Sequence, residues 1–249
     1  MTSRVRTETI SIPSGDTEIL AYLAEPSRPG RFGAIVVIQE VFGVNSHIRE
    51  VTERLAGVGY VAIAPHIYHR QAPGFEAGYT AEDLQLGRTY KQGTTAEELL
   101  ADVQGAIAHL YGKDNVIHEG VGCIGFCFGG HGAYLAATLP EVKATASFYG
   151  AGIATMTPGG GDPTITRTAE IKGTLYGFFG GKDSLIPSEE IDQIEAALKQ
   201  HNIPHKLLRY PDADHGFFCD QRYSYDPAAA RDAWAHVLEL FKTTLPSEA

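Results

Sequence analysis

Three side chains of the kind that perform nucleophilic catalysis stand at comparable places along the chain. Cys127 lies in "GFCFGG" from Gly125, Asp183 in "GGKD" from Gly180, and His215 in "DADHGF" from Asp212. The first stretch has the spacing of a G-x-S-x-G nucleophile turn with cysteine in place of serine. Its glycines permit a sharp turn from strand to helix and let the central side chain project. A thiol at the start of a helix meets the positive end of the dipole, which favours thiolate. An unperturbed thiol with a pKa of about 8.5 is only about 3% ionised at pH 7, and lowering that value to about 7 gives roughly fifteenfold more nucleophile. A histidine can take the thiol proton or pair with the thiolate, and a carboxylate can orient the imidazole. The backbone N–H of Phe128 and one near Val41 are the natural donors to an oxyanion.

These residues need a scaffold that brings them to one edge. "TETISI" and "EILAYLAEP" alternate as an opening antiparallel pair of strands. "GAIVVIQE", "YVAIAP", "GVGCIGF", "KATASFYG", "GTLYGFFGG" and "HKLLRY" are the short apolar runs of buried strands. Helical patterns separate them: "SHIREVTERLAGVG" capped by Asn45, "TTAEELLADVQGAIAHLYG", "FGGHGAYLAATL", a segment capped near Ser188, and a last helix from about Pro227 to Thr243. Residues from about 66 to 93 are polar and aromatic, and read as an excursion over the strand ends. The alternation predicts one α/β domain over residues 1–249, with a mostly parallel central sheet and helices on both faces. Cys127, Asp183 and His215 each follow a predicted strand, so they share the carboxyl edge where ligands bind. Their order, nucleophile then acid then histidine, is that of an α/β-hydrolase fold.

Composition narrows the functions. The chain has 249 residues, 43% of them hydrophobic, and a net charge of −10. That charge argues against nucleic-acid or anionic-membrane partners. No stretch is long and apolar enough for a signal peptide or a membrane span. Three cysteines (Cys123, Cys127, Cys219) suit neither a disulfide framework nor a CxxC zinc site, and a cytoplasmic location keeps such thiols reduced. Cys123 reads as core and Cys219 as structural. His131, near the elbow, is a competing base, but it falls inside a helix. His66 and His69 have metal-like spacing without a third ligand, so no metal is expected. Gly120, Gly122 and Gly125 spell a dinucleotide motif, but the first two lie before or within a strand. No cofactor is called for, and the acidic surface fits a monomer.

The chain resembles the dienelactone hydrolase (carboxymethylenebutenolidase) family in "VIQEVFGVN" from Val37, "PHIYHRQAPG" from Pro65, "GFCFGG", "GGKDSLIP" and "DADHGF". These segments run from the third strand to the last. The resemblance implies the α/β-hydrolase fold and a Cys127–His215–Asp183 triad. It adds Glu40, whose family counterpart holds the resting thiol and yields when substrate arrives; in isolation Glu40 reads as a half-buried turn carboxylate. It also implies a carboxylate-bearing substrate gripped by arginines. One of these stands four residues after the histidine, where this chain has Cys219, and a hydroxyl residue follows the histidine where this chain has Gly216. Arg70, Arg88, Tyr90 and Arg222 are the candidates to bind a substrate anion, and Phe42, with Tyr68, Phe75, Tyr79 and Phe217, to wall an aromatic pocket.

The expected activity is hydrolysis of small esters or lactones through a cysteinyl acyl-enzyme. Peptide hydrolysis is disfavoured, because thiolate leaves a tetrahedral intermediate more readily than an amine does. The alternative, of a different class, is a ligand-binding or redox-sensing protein that uses the Cys127 thiol on the same fold.

Overall fold

In the computed structural model, which describes residues 5–246, a hairpin opens the chain: β1 (Val5–Ser14) pairs antiparallel with β2 (Thr17–Pro26). The chain then alternates β3 (Phe32–Ile38), α1 (Ser46–Gly57), β4 (Tyr60–Pro65), α2 (Ala81–Gln92), α3 (Ala96–Tyr111), β5 (Val116–Phe126), α4 (Phe128–Ala136) and β6 (Val142–Phe148). A 3-10 helix over Thr164–Glu170 precedes β7 (Thr174–Gly180), α5 (Ser188–Gln200), β8 (His205–Tyr210) and α6 (Pro227–Thr244). The eight strands lie in the order β1-β2-β4-β3-β5-β6-β7-β8, parallel from β4 to β8.

Strand alternation divides the core into two layers. In β3, Ile35 and Val37 face one side with Ile48, Val51 and Leu55 of α1 and Val237, Leu240 and Phe241 of α6. Ala34, Val36 and Ile38 face the other with Leu99 and Val103 of α3 and Ala133, Leu135 and Ala136 of α4. Both faces of the sheet are thereby covered from β3 to β7, which is why those strands read as apolar runs; β8 lies at the sheet's edge with no residue fully buried, so it is not the buried strand its sequence suggests. The two strands whose crossovers leave in opposite directions, β3 and β5, are neighbours. The crevice at their carboxyl ends is the place such a sheet offers a ligand.

One local expectation is filled in and one more is revised. The excursion contains α2, which begins with a capping box between Thr80 and Asp83. Its only buried residue is Gly87, so it carries no apolar stripe for periodicity to reveal. Helix α5 begins at Ser188 with Pro187 at the cap position, and the Ser188 hydroxyl does not cap it. Asn45 does cap α1, its side chain accepting from Ile48 N at 3.3 Å. The same amide donates to Ala77 O and Tyr79 Oη, so it also fastens the excursion to the sheet edge. Among the described residues, no helix is long and apolar enough to cross a membrane.

Candidate active site

Cys127 occupies the single residue between β5 and α4, with φ 56° and ψ −116°. This left-handed conformation is costly for a residue with a Cβ, and it persists because the surrounding backbone leaves no alternative. A Cβ on Gly125 would lie 1.8 Å from Gly129 O, and one on Gly129 would lie 2.3 Å from Ile38 O. Glycine at both places is what lets β5, α4 and β3 meet so closely. The turn after β3 is braced similarly: Gly87 of α2 approaches so near that a Cβ there would lie 2.1 Å from Val41 O. Val41 and Phe128 both line the cavity at the elbow. Phe128 begins α4, where the first N–H groups have no acceptor within the helix.

His215 and Asp183 arrive from the loops after β8 and β7. His215 Nδ1 and Asp183 Oδ2 are 2.7 Å apart, both residues buried. Asp183 is fixed in turn by Leu185 N, which donates to its Oδ1 at 2.9 Å. His215 Nε2 has no hydrogen-bond partner at full bonding geometry. It is nonetheless near enough to Cys127 to set its charge. Enclosure and the Glu40 carboxylate oppose thiolate, but His215, helped by Arg222, outweighs them and the thiol falls below its ordinary value. Burial likewise opposes charge on His215, yet Cys127 and Asp183 together push it up to about 10. Each of the two groups thus favours the charged form of the other. Tyr149, itself at φ 36°, sets its ring edge-on to the imidazole with centroids 5.1 Å apart.

Glu40 is fully buried rather than half-buried. Its Oε1 accepts from Arg222 Nη1 at 3.0 Å, and its Oε2 has no partner. The carboxylate that the family pattern places on the thiol is therefore tied to an arginine here. Arg222 lies seven residues after His215. It fits because residue 216 is glycine: a Cβ there, at φ +81°, would lie 2.4 Å from Arg222 Nη1. In this chain Arg222 thus passes over Gly216 to reach Glu40.

The cavity at this edge has a volume of about 490 Å³. Cys127, His215, Val41, Phe42, Phe128, Arg88 and Arg222 all line it, together with Lys91, Met156 and Tyr223. Arg70 and Tyr90 do not. The expectation for Arg70 is corrected by its bonds to the buried Asp102 carboxylate and the Ser14 hydroxyl, each at 2.7 Å, beneath α3. Tyr90 packs instead against Tyr68 and Phe75. His131 is excluded as a base, since its ring nitrogens are engaged by Ala151 O and Thr164 Oγ1. Cys123 and Cys219 are buried. Lys91 and Tyr149 escaped the sequence reading, the first because a helix with no apolar stripe hides which face it turns inward. The signal for Tyr149 was available in "FYGAG", a glycine-flanked turn ending a strand.

A family model for the dienelactone hydrolase family matches residues 19–245. The chain belongs to the dienelactone hydrolase family. With it come the α/β-hydrolase fold and the hydrolysis of ester or lactone bonds. A Synechocystis protein provisionally assigned as a carboxymethylenebutenolidase is 56% identical over 245 residues, covering 98% of this chain and 100% of that one. An Escherichia coli K12 protein with the same provisional assignment is 33% identical over 93% of this chain and 85% of its own. Among solved structures, a provisionally assigned dienelactone hydrolase from Klebsiella pneumoniae superposes with a TM-score of 0.87 at 29% identity, covering 96% and 99% of the two chains.

Proposed function

We propose that this dienelactone hydrolase family member cleaves small, anionic esters or lactones through a cysteinyl acyl-enzyme, with Cys127 as nucleophile. The observation that carries the reading is the strained elbow at Cys127 facing a histidine whose far nitrogen is held by Asp183 and whose near nitrogen is unpartnered. The thiolate adds to the substrate carbonyl, and the oxyanion is received by the N–H groups of Phe128 and Val41. Collapse of the intermediate expels the alkoxide or enolate, which takes its proton from His215. Neutral His215 then draws a proton from water as the water attacks the thioester, freeing the acid product and restoring the Cys127 thiolate beside protonated His215. Asp183 fixes the imidazole tautomer and ring orientation throughout.

The preference for an anion rests on the cavity's cations. Arg88 and Lys91 stand one turn apart on α2, and Arg222 joins them in the lining. Glu190 and Asp214 are the opposing carboxylates in the lining. Glu40 keeps Arg222 extended into place, and its own negative charge restrains the thiol. The test is hydrolysis of nitrophenyl acetate and a set of lactones, with and without a carboxylate, by wild type, Cys127→Ala and His215→Ala. The reading expects both variants to lose activity and the carboxylate-bearing lactones to have the lower KM in the wild type. Equal rates in all three proteins would remove the triad.

A further inference from the structure

Beside Glu40 lies a group of donors that the hydrolytic steps do not use. One donor atom each from Glu40, His47 and Cys219 fall within 4.8 Å of one another, and all three residues are buried. They come from separate segments: the turn after β3, the first turn of α1, and the loop after β8. Glu40 is 0% exposed and His47 3%, and both Glu40 Oε2 and His47 Nε2 are buried without any hydrogen-bond partner. Native interiors rarely leave such atoms unsatisfied, and two of them beside a thiol point to a missing ligand. Cys219 Sγ meanwhile spends its weak donor on Tyr79 Oη at 3.2 Å.

We propose that Glu40, His47 and Cys219 form a binding site for a transition-metal dication of the zinc class, separate from the Cys127–His215 pair. Carboxylate, imidazole and thiolate are the donors such an ion accepts, and its bonds of roughly 2.0–2.3 Å bring ligand atoms to roughly 3.3–3.8 Å from one another. The three donors need close by about 1.5 Å at most, within the reach of side-chain rotation. His47 Nε2, buried and without a partner, is the imidazole nitrogen free to give a lone pair, and Cys219 Sγ carries its proton while it donates to Tyr79 Oη. Metal binding displaces that proton to solvent and forms the sulfur–metal bond. The dication then balances the Glu40 carboxylate and the Cys219 thiolate, while Arg222 keeps Glu40 Oε1. Because Glu40 also acts on the Cys127 thiol, the ion would sit where it can bear on the nucleophile.

The test uses the full chain as Cys127→Ser, which removes the competing thiolate. It is titrated with Co2+ and, separately, with Zn2+ measured after dialysis. The proposal expects one equivalent bound and a sulfur-to-cobalt charge-transfer absorption. Adding Cys219→Ser, a near-isosteric change that should keep the fold, abolishes the absorption; adding His47→Gln weakens binding at least tenfold. Three results overturn it: no uptake by Cys127→Ser, an absorption that survives Cys219→Ser, or an absorption seen in the wild type and absent from Cys127→Ser. The last would place the ion on the catalytic thiol.

Discussion

Two buried histidines flank the elbow, and they have opposite fates. His131, on α4, is 1% exposed and has both ring nitrogens engaged, by Ala151 O at 3.0 Å and Thr164 Oγ1 at 2.7 Å. Burial carries its pKa down to about 4, the Ala151 carbonyl opposing only in part. His215, on the loop after β8, is 8% exposed, with one nitrogen fixed by Asp183 and the other unpartnered beside Cys127. Burial acts on it in the same direction, but Cys127 and Asp183 overcome it and carry the ring up to about 10. The difference lies in the partners, since both rings are enclosed. A histidine with both valences satisfied braces the fold, and one held at a single nitrogen can move a proton.

Substitutions can break that contrast. His215→Ala should carry the largest effect, lowering hydrolysis by about 10⁴-fold or more, because a nucleophile and base that act together fail together. Asp183→Asn leaves the ring in place but removes the charge that fixes its tautomer, for a loss of about 10²–10⁴-fold in kcat. Alkylation of Cys127 by iodoacetamide sharpens the same point against pH. In the wild type the midpoint should lie below the ordinary thiol value, since His215 favours thiolate; in His215→Ala, burial and Glu40 are opposed by Arg222 alone and the midpoint should rise. A midpoint unmoved by the substitution would separate the two residues. Arg88→Ala should raise KM roughly tenfold for carboxylate-bearing lactones, the worth of about one charge-assisted contact, and leave neutral esters unchanged. His131→Ala should change kcat least, by under about threefold, while lowering stability by about 1–3 kcal/mol through the lost bonds to Ala151 and Thr164 and the cavity left behind, read from thermal unfolding.

The same contrast marks how far the sequence could be read. Strands β3 to β7 were legible because each is enclosed on both faces and therefore largely apolar, whereas β1 and β2 showed by alternation and β8 is only partly covered. Cys127, Asp183 and His215 were legible because each follows a strand, and the sheet brings its carboxyl ends to one edge. Arginine partners were not legible. Arg70 and Arg222 look alike in sequence, but one is taken by Asp102 beneath α3 and the other crosses Gly216 to reach Glu40. Such pairings join residues 32 and 182 positions apart, and no local period records them. Helix α2 was hidden for the related reason that only Gly87 among its residues is buried, so its role shows only where it meets the Val41 turn.

The central claim is the covalent intermediate on Cys127. Mixing the protein with nitrophenyl acetate, quenching in acid at early times and recording intact mass tests it directly. The account predicts a single added acetyl group on the wild type, mapped to the peptide containing Cys127, that decays as acetate appears and never forms on Cys127→Ala. Turnover at the wild-type rate by Cys127→Ala, or an acetyl group mapped elsewhere that forms and decays at the turnover rate, would contradict it and leave the elbow as a turn in the fold.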